Sequence, residues 1–162
     1  MRQLAPRTLL LVLGLVCGAS VGLALLAQHQ FGMEPCPWCI LQRIIFILLT
    51  VLSLIGAALP VDLVRRPLSG VGAVLSAGGI CAALWQHFVA AKTNSCAMTF
   101  ADQVIGFFGL DTRWPEWFEV RASCADAAVS VLGVPFEFWS LALFAVAGGV
   151  LVYSALTPQR RA

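Results

Sequence analysis

Two cysteines and an arginine form the densest group of chemically reactive side chains in the sequence. Cys36 and Cys39 lie three residues apart in the stretch "EPCPWCILQR", and Arg43 follows Cys39 by four residues. Pro37 fits the first turn of a helix, so the stretch predicts a helix N-terminus with Cys36 near its cap. Backbone N–H groups at a helix N-terminus stabilise a thiolate, and a positive charge on the same face stabilises it further. These residues therefore predict thiol–disulfide chemistry.

The helix that carries this motif belongs to a membrane protein. The chain has 162 residues, of which 60% are hydrophobic and 11% are charged, and soluble domains of this size do not need so much apolar surface. Four stretches, over about residues 9–27, 40–59, 69–91 and 138–156, reach the length that a spanning helix requires. The predicted fold class is an all-α membrane protein, a four-transmembrane-helix bundle that forms a single domain.

The first of these stretches is expected to be a retained helix. Arg2 and Arg7 precede it, as basic residues precede the apolar core of a secretory signal. The apolar run is longer than a signal core, however, and no small-x-small cleavage site closes it.

Basic residues predict the orientation of the bundle, because lysine and arginine concentrate in cytoplasmic segments. Six fall on one side of a four-span bundle, and three fall on the other, where acidic residues dilute them. The first group is Arg2, Arg7, Arg65, Arg66, Arg160 and Arg161, and the second is Lys92, Arg113 and Arg121. Both termini and the loop over about residues 60–68 are therefore predicted to be cytoplasmic. The net charge of +2 does not indicate a nucleic-acid partner.

Four of the six cysteines then lie on the outer side of the membrane or at its edge, where disulfides form and persist. They are Cys36, Cys39, Cys96 and Cys124. Cys17 and Cys81 fall inside predicted spans, where a lone cysteine is usually a small buried hydrophobic residue.

The outer side has a short loop over about residues 28–39 and a long one over about 92–137, and a connection as long as the second usually carries function. Within it, "TRWPEWFEVR" places Trp114, Trp117 and Phe118 on one helical face. Tryptophan favours the membrane interface, so we expect a short interfacial helix here. In the third span, Gly72 and Ser76 are spaced for close helix contact, as are Ala73 and Ala77.

Several alternatives to redox chemistry remain open from the residues alone. The four outer cysteines could bind zinc, although Cys96 and Cys124 lack the close spacing of a typical ligand pair. The cysteines could also form two purely structural disulfides. Arg43 could extend to water or lipid phosphate instead of serving a site. If the pairs are reactive, two pairs within reach of each other can pass electrons in series, and a lipid-soluble acceptor suits a pair at the membrane edge.

The ordered motifs resemble those of the disulfide bond formation protein B (DsbB) family, the bacterial inner-membrane thiol oxidases. The second span opens with "PCPWC" followed by "QR", and "NSCAMTF" comes early in the long loop. The motifs "RWPEWF", "SCADAAVSVLGVP" and "FWSL" follow in order, so the resemblance covers nearly the whole chain.

The resemblance implies a quinone-dependent oxidoreductase that reoxidises a periplasmic thiol oxidase of the DsbA type. A Cys96–Cys124 disulfide would be attacked by that partner, with Cys96 carrying the mixed disulfide. Cys124 would then engage Cys36 and leave Cys39 as a thiolate facing a membrane quinone. The resemblance implies ubiquinone as the usual acceptor, with menaquinone as the alternative.

The resemblance also suggests residues for the quinone site, and it implies no metal. Arg43 matches the family arginine beside the quinone, and His87 and Gln42 are further candidates. His87 cannot be aligned securely with a family histidine, because the stretch from His87 to Cys96 is short.

Two rival functions use the same residues differently. Vitamin K epoxide reductase-like enzymes also combine four helices, a CxxC pair and a quinone, but their redox pair belongs near the start of the last span. A membrane scaffold stapled by two disulfides is the alternative without enzyme activity. It predicts cysteines that stay oxidised and do not respond to quinone.

Overall fold

The computed structural model describes residues 6–59, 61–92, 99–127 and 129–158. Cys96, Arg2, Arg160 and Arg161 lie outside the described residues. The helices are α1 (Pro6–Phe31), α2 (Pro37–Ala58), α3 (Asp62–Phe88), α4 (Phe100–Phe108), α5 (Leu110–Arg113), α6 (Pro115–Phe118) and α7 (Phe136–Leu156). A 3₁₀ turn, Ala90–Lys92, follows α3, and strands β1 (Ser130–Val131) and β2 (Val134–Pro135) precede α7.

Four helices are long and apolar enough to cross a membrane, which confirms the predicted fold class. They are α1, α2, α3 with its 3₁₀ extension to Lys92, and α7. Helix α3 begins at Asp62, seven residues before the predicted start of the third span. Arg65 and Arg66, which were predicted to lie in a loop, are helical, and Pro67 lies inside the helix.

Those arginines are helical because they bind the end of a neighbouring helix. Arg65 is fully buried and donates to the backbone carbonyls of Ser154 and Thr157, while Arg66 donates to Ala155 O over 2.8 Å. The last carbonyls of a helix lack partners within the helix, and cations there are stabilising. Each arginine thus ties α3 to the C-terminus of α7.

Small residues bring α3 close to α7. A Cβ atom added at Gly72 would lie 3.0 Å from Leu151 Cδ2, and one added at Gly79 would lie 2.5 Å from the Phe144 ring. Ser76 is fully buried on the same face. The predicted close-contact role of Gly72 and Ser76 is confirmed. Ala77 of the second predicted pair is exposed, however, and the equally tight Gly79 was missed.

The long loop between α3 and α7 carries short helices. Helix α4 begins at a capping box in which Thr99 and Asp102 each accept a bond from the other's backbone N–H, and it ends at Gly109 with φ of 57°. Trp117 is exposed in α6, but Phe118 is buried against Ile40 and Ile105. Trp117 and Phe118 therefore do not share one helical face as predicted, because Phe118 packs between α2 and α4.

Candidate functional site

Cys36 caps the N-terminus of α2, as the sequence predicted. Its Sγ accepts a hydrogen bond from the backbone N–H of Cys39 over 3.3 Å, and Pro37 occupies the first turn. Cys36 is fully buried, and Cys39 is partly exposed. Both sulfur atoms therefore lie where unpaired N–H groups stabilise negative charge.

Cys36 lies beside two other cysteines. Its Sγ is 2.7 Å from Cys39 Sγ, and Cys124 is near enough to shift its pKa. The structure thus brings together three of the four predicted cysteines. Cys36 is central among them, because both of the others shift its pKa.

Backbone hydrogen bonds bring Cys124 to this place from the far end of the long loop. The Pro35 carbonyl accepts hydrogen bonds from the N–H groups of Arg121, over 3.1 Å, and Ala122, over 3.3 Å. Pro35 directly precedes Cys36, and Ala122 lies two residues before Cys124. These two bonds clamp the loop to the start of α2.

The contact between Cys36 and Cys124 moves their pKa values in opposite directions. The hydrogen bond to Cys124, the one to Cys39, and burial raise the pKa of the Cys36 thiol above its usual range. The same bond from Cys36 lowers the pKa of Cys124, and a bond from the Trp38 backbone acts in the same direction. Cys124 is therefore the better nucleophile of the two, because thiolates attack disulfides and thiols do not.

Two glutamines support Cys39 on its other side. Gln86 of α3 donates from Nε2 to Cys39 Sγ over 3.3 Å, and its Oε1 accepts a bond of 2.7 Å from Gln42 Nε2. Both glutamines are buried. The Gln42 bond fixes which end of the Gln86 amide faces the sulfur, so the pair stabilises negative charge on Cys39. Sequence reasoning proposed Gln42 but missed Gln86, whose contact crosses between two helices.

Arg43 is buried, with 6% of its surface exposed, and does not extend to the protein surface. Its Nη1 donates to Gln28 Oε1 over 3.0 Å and to the backbone carbonyl of Trp117. Gln28 in turn donates to the Glu116 carbonyl over 3.3 Å. The arginine therefore joins α1, α2 and α6, which does not fit a side chain that reaches to water or lipid phosphate.

A cavity of about 230 Å³ adjoins Cys39 and Arg43. Its walls come from α1, α2, α3 and α7 and are mostly apolar, and Cys39, Gln42, Arg43, Gln86 and Glu137 add polar groups. Arg43 Nε is buried without a hydrogen-bond partner among the described residues, which leaves this charged N–H available to a bound acceptor. A mostly apolar cavity with a few convergent polar groups is typical of a small-molecule site.

The remaining predicted residues lie outside this cavity wall. His87 hydrogen bonds through Nδ1 to Glu137 Oε1, and of these two only Glu137 lines the cavity. Sequence reasoning missed Glu137.

Cys17 is fully buried as expected, but Cys81 is exposed on the outside of α3 and was wrongly expected to be buried.

Comparison with known proteins identifies the family. The model of the family described as "Disulfide bond formation protein DsbB" matches residues 6–154. The chain belongs to the DsbB family. It is 36% identical to Disulfide bond formation protein B 1 of Pseudomonas putida, over 96% of this chain and 92% of the relative. It is 33% identical to the protein of the same name from Pseudomonas syringae, over 94% and 90%. No solved structure shows a significant match.

The resemblance to the DsbB family noted in the sequence is thus confirmed. Disulfide bond formation protein B of Ralstonia nicotianae is 30% identical and aligns over 98% of this chain and 99% of its own length. The similarity therefore spans all four membrane helices, the cysteine motif of α2 and the long loop. DsbB family membership and the four spans together support a multi-pass membrane oxidoreductase that forms disulfide bonds.

Proposed function

We propose that the protein is a thiol:quinone oxidoreductase of the bacterial inner membrane. It would reoxidise a periplasmic dithiol oxidase of the DsbA type and pass the electrons to a membrane quinone. The observation that carries this proposal is the position of Cys36, whose Sγ lies 2.7 Å from Cys39 Sγ and which lies near Cys124. A sulfur atom with two thiol neighbours can exchange one disulfide partner for the other.

The exchange starts with the partner protein. Its thiolate attacks the Cys96–Cys124 disulfide, forms a mixed disulfide with Cys96 and releases Cys124 as a thiolate. Cys124 then attacks Cys36 of a Cys36–Cys39 disulfide, so that a Cys36–Cys124 bond forms and Cys39 leaves as a thiolate. Besides the hydrogen bond from Cys36, the one from the Trp38 backbone, which does not require a Cys36 thiol, lowers the pKa of Cys124 and supports its role as the attacking group.

The residues around the cavity fit a quinone. A bound quinone supplies an acceptor for two electrons and two protons, and ubiquinone is the proposed species, with menaquinone as the alternative. Arg43 would hold one of its oxygens through the free Nε–H, and Gln42 lies on the same wall. Gln86 and Arg43 stabilise the Cys39 thiolate that faces the cavity. His87 would act from outside the wall, through Glu137.

The proposed topology places both termini in the cytoplasm and the reactive cysteines in the periplasm. The excess of basic residues at the α2–α3 end of the bundle supports this orientation. Membrane-impermeant thiol reagents should label reduced Cys96 and Cys124 in cells with an intact inner membrane. Labelling that requires the inner membrane to be opened would show that the orientation is inverted.

An assay with purified components tests the function. The protein in lipid nanodiscs is mixed with a reduced DsbA-type partner and a short-chain ubiquinone. One quinone should be reduced for each partner disulfide formed, and Cys124→Ser should abolish the reaction. Cys17→Ser is the matched control, since Cys17 is buried in α1 and hydrogen bonds none of the other described cysteines. If the wild-type protein leaves both quinone and partner unchanged, this proposal is wrong, and a membrane scaffold held by two structural disulfides replaces it.

A further inference from the structure

A buried carboxylate lines the cavity beside the cysteines. Glu137 lies in the first turn of α7, and 5% of its side chain is exposed. Among the described residues that line the cavity, Glu137 is the only carboxylic acid. A carboxylate inside a membrane span is costly unless it is paired, so its presence there is by default a functional hypothesis.

His87 is the partner of this carboxylate. Its Nδ1 lies 2.6 Å from Glu137 Oε1, and 30% of the histidine side chain is exposed. The ring packs against Phe88, at a centroid distance of 4.9 Å, and against Phe138, at 4.7 Å. These contacts hold the imidazole between the buried carboxylate and the outer end of α3. The pair therefore connects the cavity wall with the protein surface.

The groups facing the cavity explain why such a connection is needed. Helix α2 contributes Cys39, Gln42 and Arg43, and α3 contributes Gln86. These residues stabilise Cys39 as a thiolate, which has already lost its proton. Ser20 of α1 and Ser140 and Trp139 of α7 carry the other polar groups, and a serine hydroxyl or an indole N–H is a far weaker acid than a carboxylic acid. Of the described lining residues, Glu137 is the one suited to deliver a proton.

We infer that Glu137, held by His87, delivers a proton to the quinone oxygen during its reduction. This inference rests on the proposed function. In a single turnover of the fully reduced protein, the S–H bonds of Cys36 and Cys39 break, a disulfide bond forms, and two electrons pass to the quinone, at which two O–H bonds form. The proton that Cys39 gave up to the aqueous side returns through His87 to Glu137 and forms one O–H bond. The proton that the Cys36 thiol loses as the disulfide closes forms the other, so thiols and quinol balance. His87 and Glu137 end each turnover in their starting protonation state.

The test uses variants that distinguish a loss of proton delivery from a loss of local structure. Glu137→Gln keeps the shape and the hydrogen bond to His87 but removes the acid. Glu137→Asp keeps the acid on a shorter side chain. Glu119→Gln is the matched control, because it makes the same chemical change in an exposed residue whose ion pair with Arg121 is at the surface. Each protein is reduced, freed of excess reductant and mixed with a short-chain ubiquinone in a single turnover, without the partner protein.

We expect Glu137→Gln to slow single-turnover quinone reduction by about 100-fold, within the range of general acid–base contributions. Its quinone affinity, measured by quenching of tryptophan fluorescence, should stay within about threefold of wild type, since uniform binding is not altered. Glu137→Asp should recover part of the rate, and Glu119→Gln should match wild type. Infrared difference spectra of the protein with and without the quinone should contain a carboxyl band that Glu137→Gln lacks.

Each contrary outcome has a separate meaning. A normal rate in Glu137→Gln, or a loss confined to quinone affinity, overturns the role in proton delivery. If Glu137→Gln does not fold, Glu137→Asp supplies the test. The role in proton delivery is overturned if Glu137→Asp reduces quinone at the wild-type rate and the infrared difference spectra contain no band from Glu137. If wild-type protein binds quinone but does not reduce it, the proposed function itself is wrong. If instead wild-type protein reduces the quinone and only the expected difference between Glu137→Gln and wild type is missing, the proposed function stands and the role of Glu137 in proton delivery is wrong.

Discussion

Arg43 of α2 donates a hydrogen bond to the backbone carbonyl of Trp117 in α6. It also donates to the side chain of Gln28 in α1, and within the described part of the chain Nε has no partner. One buried guanidinium therefore ties the loop between α3 and α7 to the bundle and keeps Nε–H unpaired. A planar group with several fixed donors can do both, whereas an ammonium group on a flexible stem cannot reproduce this geometry.

Arg43→Lys should therefore impair quinone use. A lost hydrogen bond to a charged group costs about 1.5–3 kcal/mol, which corresponds to an apparent quinone KM raised about 10- to 100-fold. A quinone titration at a fixed concentration of the reduced partner protein measures this KM. Disulfide exchange at Cys96 and Cys124 should remain intact. Arg121→Lys is the matched control at an exposed surface pair. Superimposable titration curves for Arg43→Lys and wild type would refute the quinone role of Arg43.

Gln86→Leu should slow the chemistry of Cys39, because it removes the N–H that donates to the sulfur. The loss of such a bond to a charged acceptor costs about 1.5–3 kcal/mol, or about 10- to 100-fold in the thiolate population. The measurement is the alkylation rate of Cys39 at fixed pH, followed by peptide mapping, in a Cys36→Ser background that keeps an oxygen at the helix cap. Gln103→Leu changes an exposed glutamine in the same way, and it should leave the rate unchanged. An unchanged rate in Gln86→Leu would show that its amide does not support the thiolate.

Cys36→Ala should raise the pKa of Cys124. The hydrogen bond from Cys36 lowers that pKa in the native protein, so reduced Cys124 should be alkylated at a lower pH than an ordinary thiol. Removal of the donor reverses the main cause, and the rate profile should then move to higher pH. Rates measured across a pH series in the reduced protein test this, with Cys17→Ala as the variant expected to keep the native profile. A shift to lower pH would contradict the assignment of Cys36 as donor.

Residues close together in the sequence could be predicted, because helix geometry fixes their arrangement. Three positions in one stretch of α2, Cys36, Cys39 and Arg43, lie on one face through the spacing of 3.6 residues per turn alone. The N-terminal cap at Cys36 followed in the same way from Pro37. The number of spans followed from the length and apolar character of each stretch.

Contacts between helices could not be predicted in this way. Gln86 and Glu137 reach the site because α3 and α7 each present one particular face to α2. In a soluble helix the apolar stripe reveals the buried face, but a spanning helix is apolar all round. The approach of Cys124 depends on two backbone bonds to Pro35, which no side-chain pattern records. The interior face of α3 is instead marked by small residues, of which Gly79 is the tightest.

Gly79→Ala should destabilise the bundle, while Gly78→Ala should not. A Cβ at Gly79 would lie 2.5 Å from the Phe144 ring, whereas a Cβ at Gly78 has nothing within 4 Å. Overpacking of this kind typically costs about 1–3 kcal/mol in the free energy of unfolding. In contrast, alanine in place of an unhindered helical glycine gains up to about 1 kcal/mol. Thermal unfolding of both variants in the same detergent measures the difference. Gly78 and Gly79 are neighbours that differ mainly in the space available for a Cβ atom.

The same pair of variants tests whether this contact reaches the cavity. Phe144 stacks on Phe46 with ring centroids 4.0 Å apart and an angle of 2° between the planes, and Phe46 lines the cavity. A ring displaced by Gly79→Ala should press on Phe46, so quinone affinity should fall in this variant and stay unchanged in Gly78→Ala. Fluorescence quenching below the unfolding temperature of both variants measures it. If Gly79→Ala unfolds earlier but binds quinone as tightly as wild type, the strain is absorbed between α3 and α7, and Phe46 is positioned independently of Phe144.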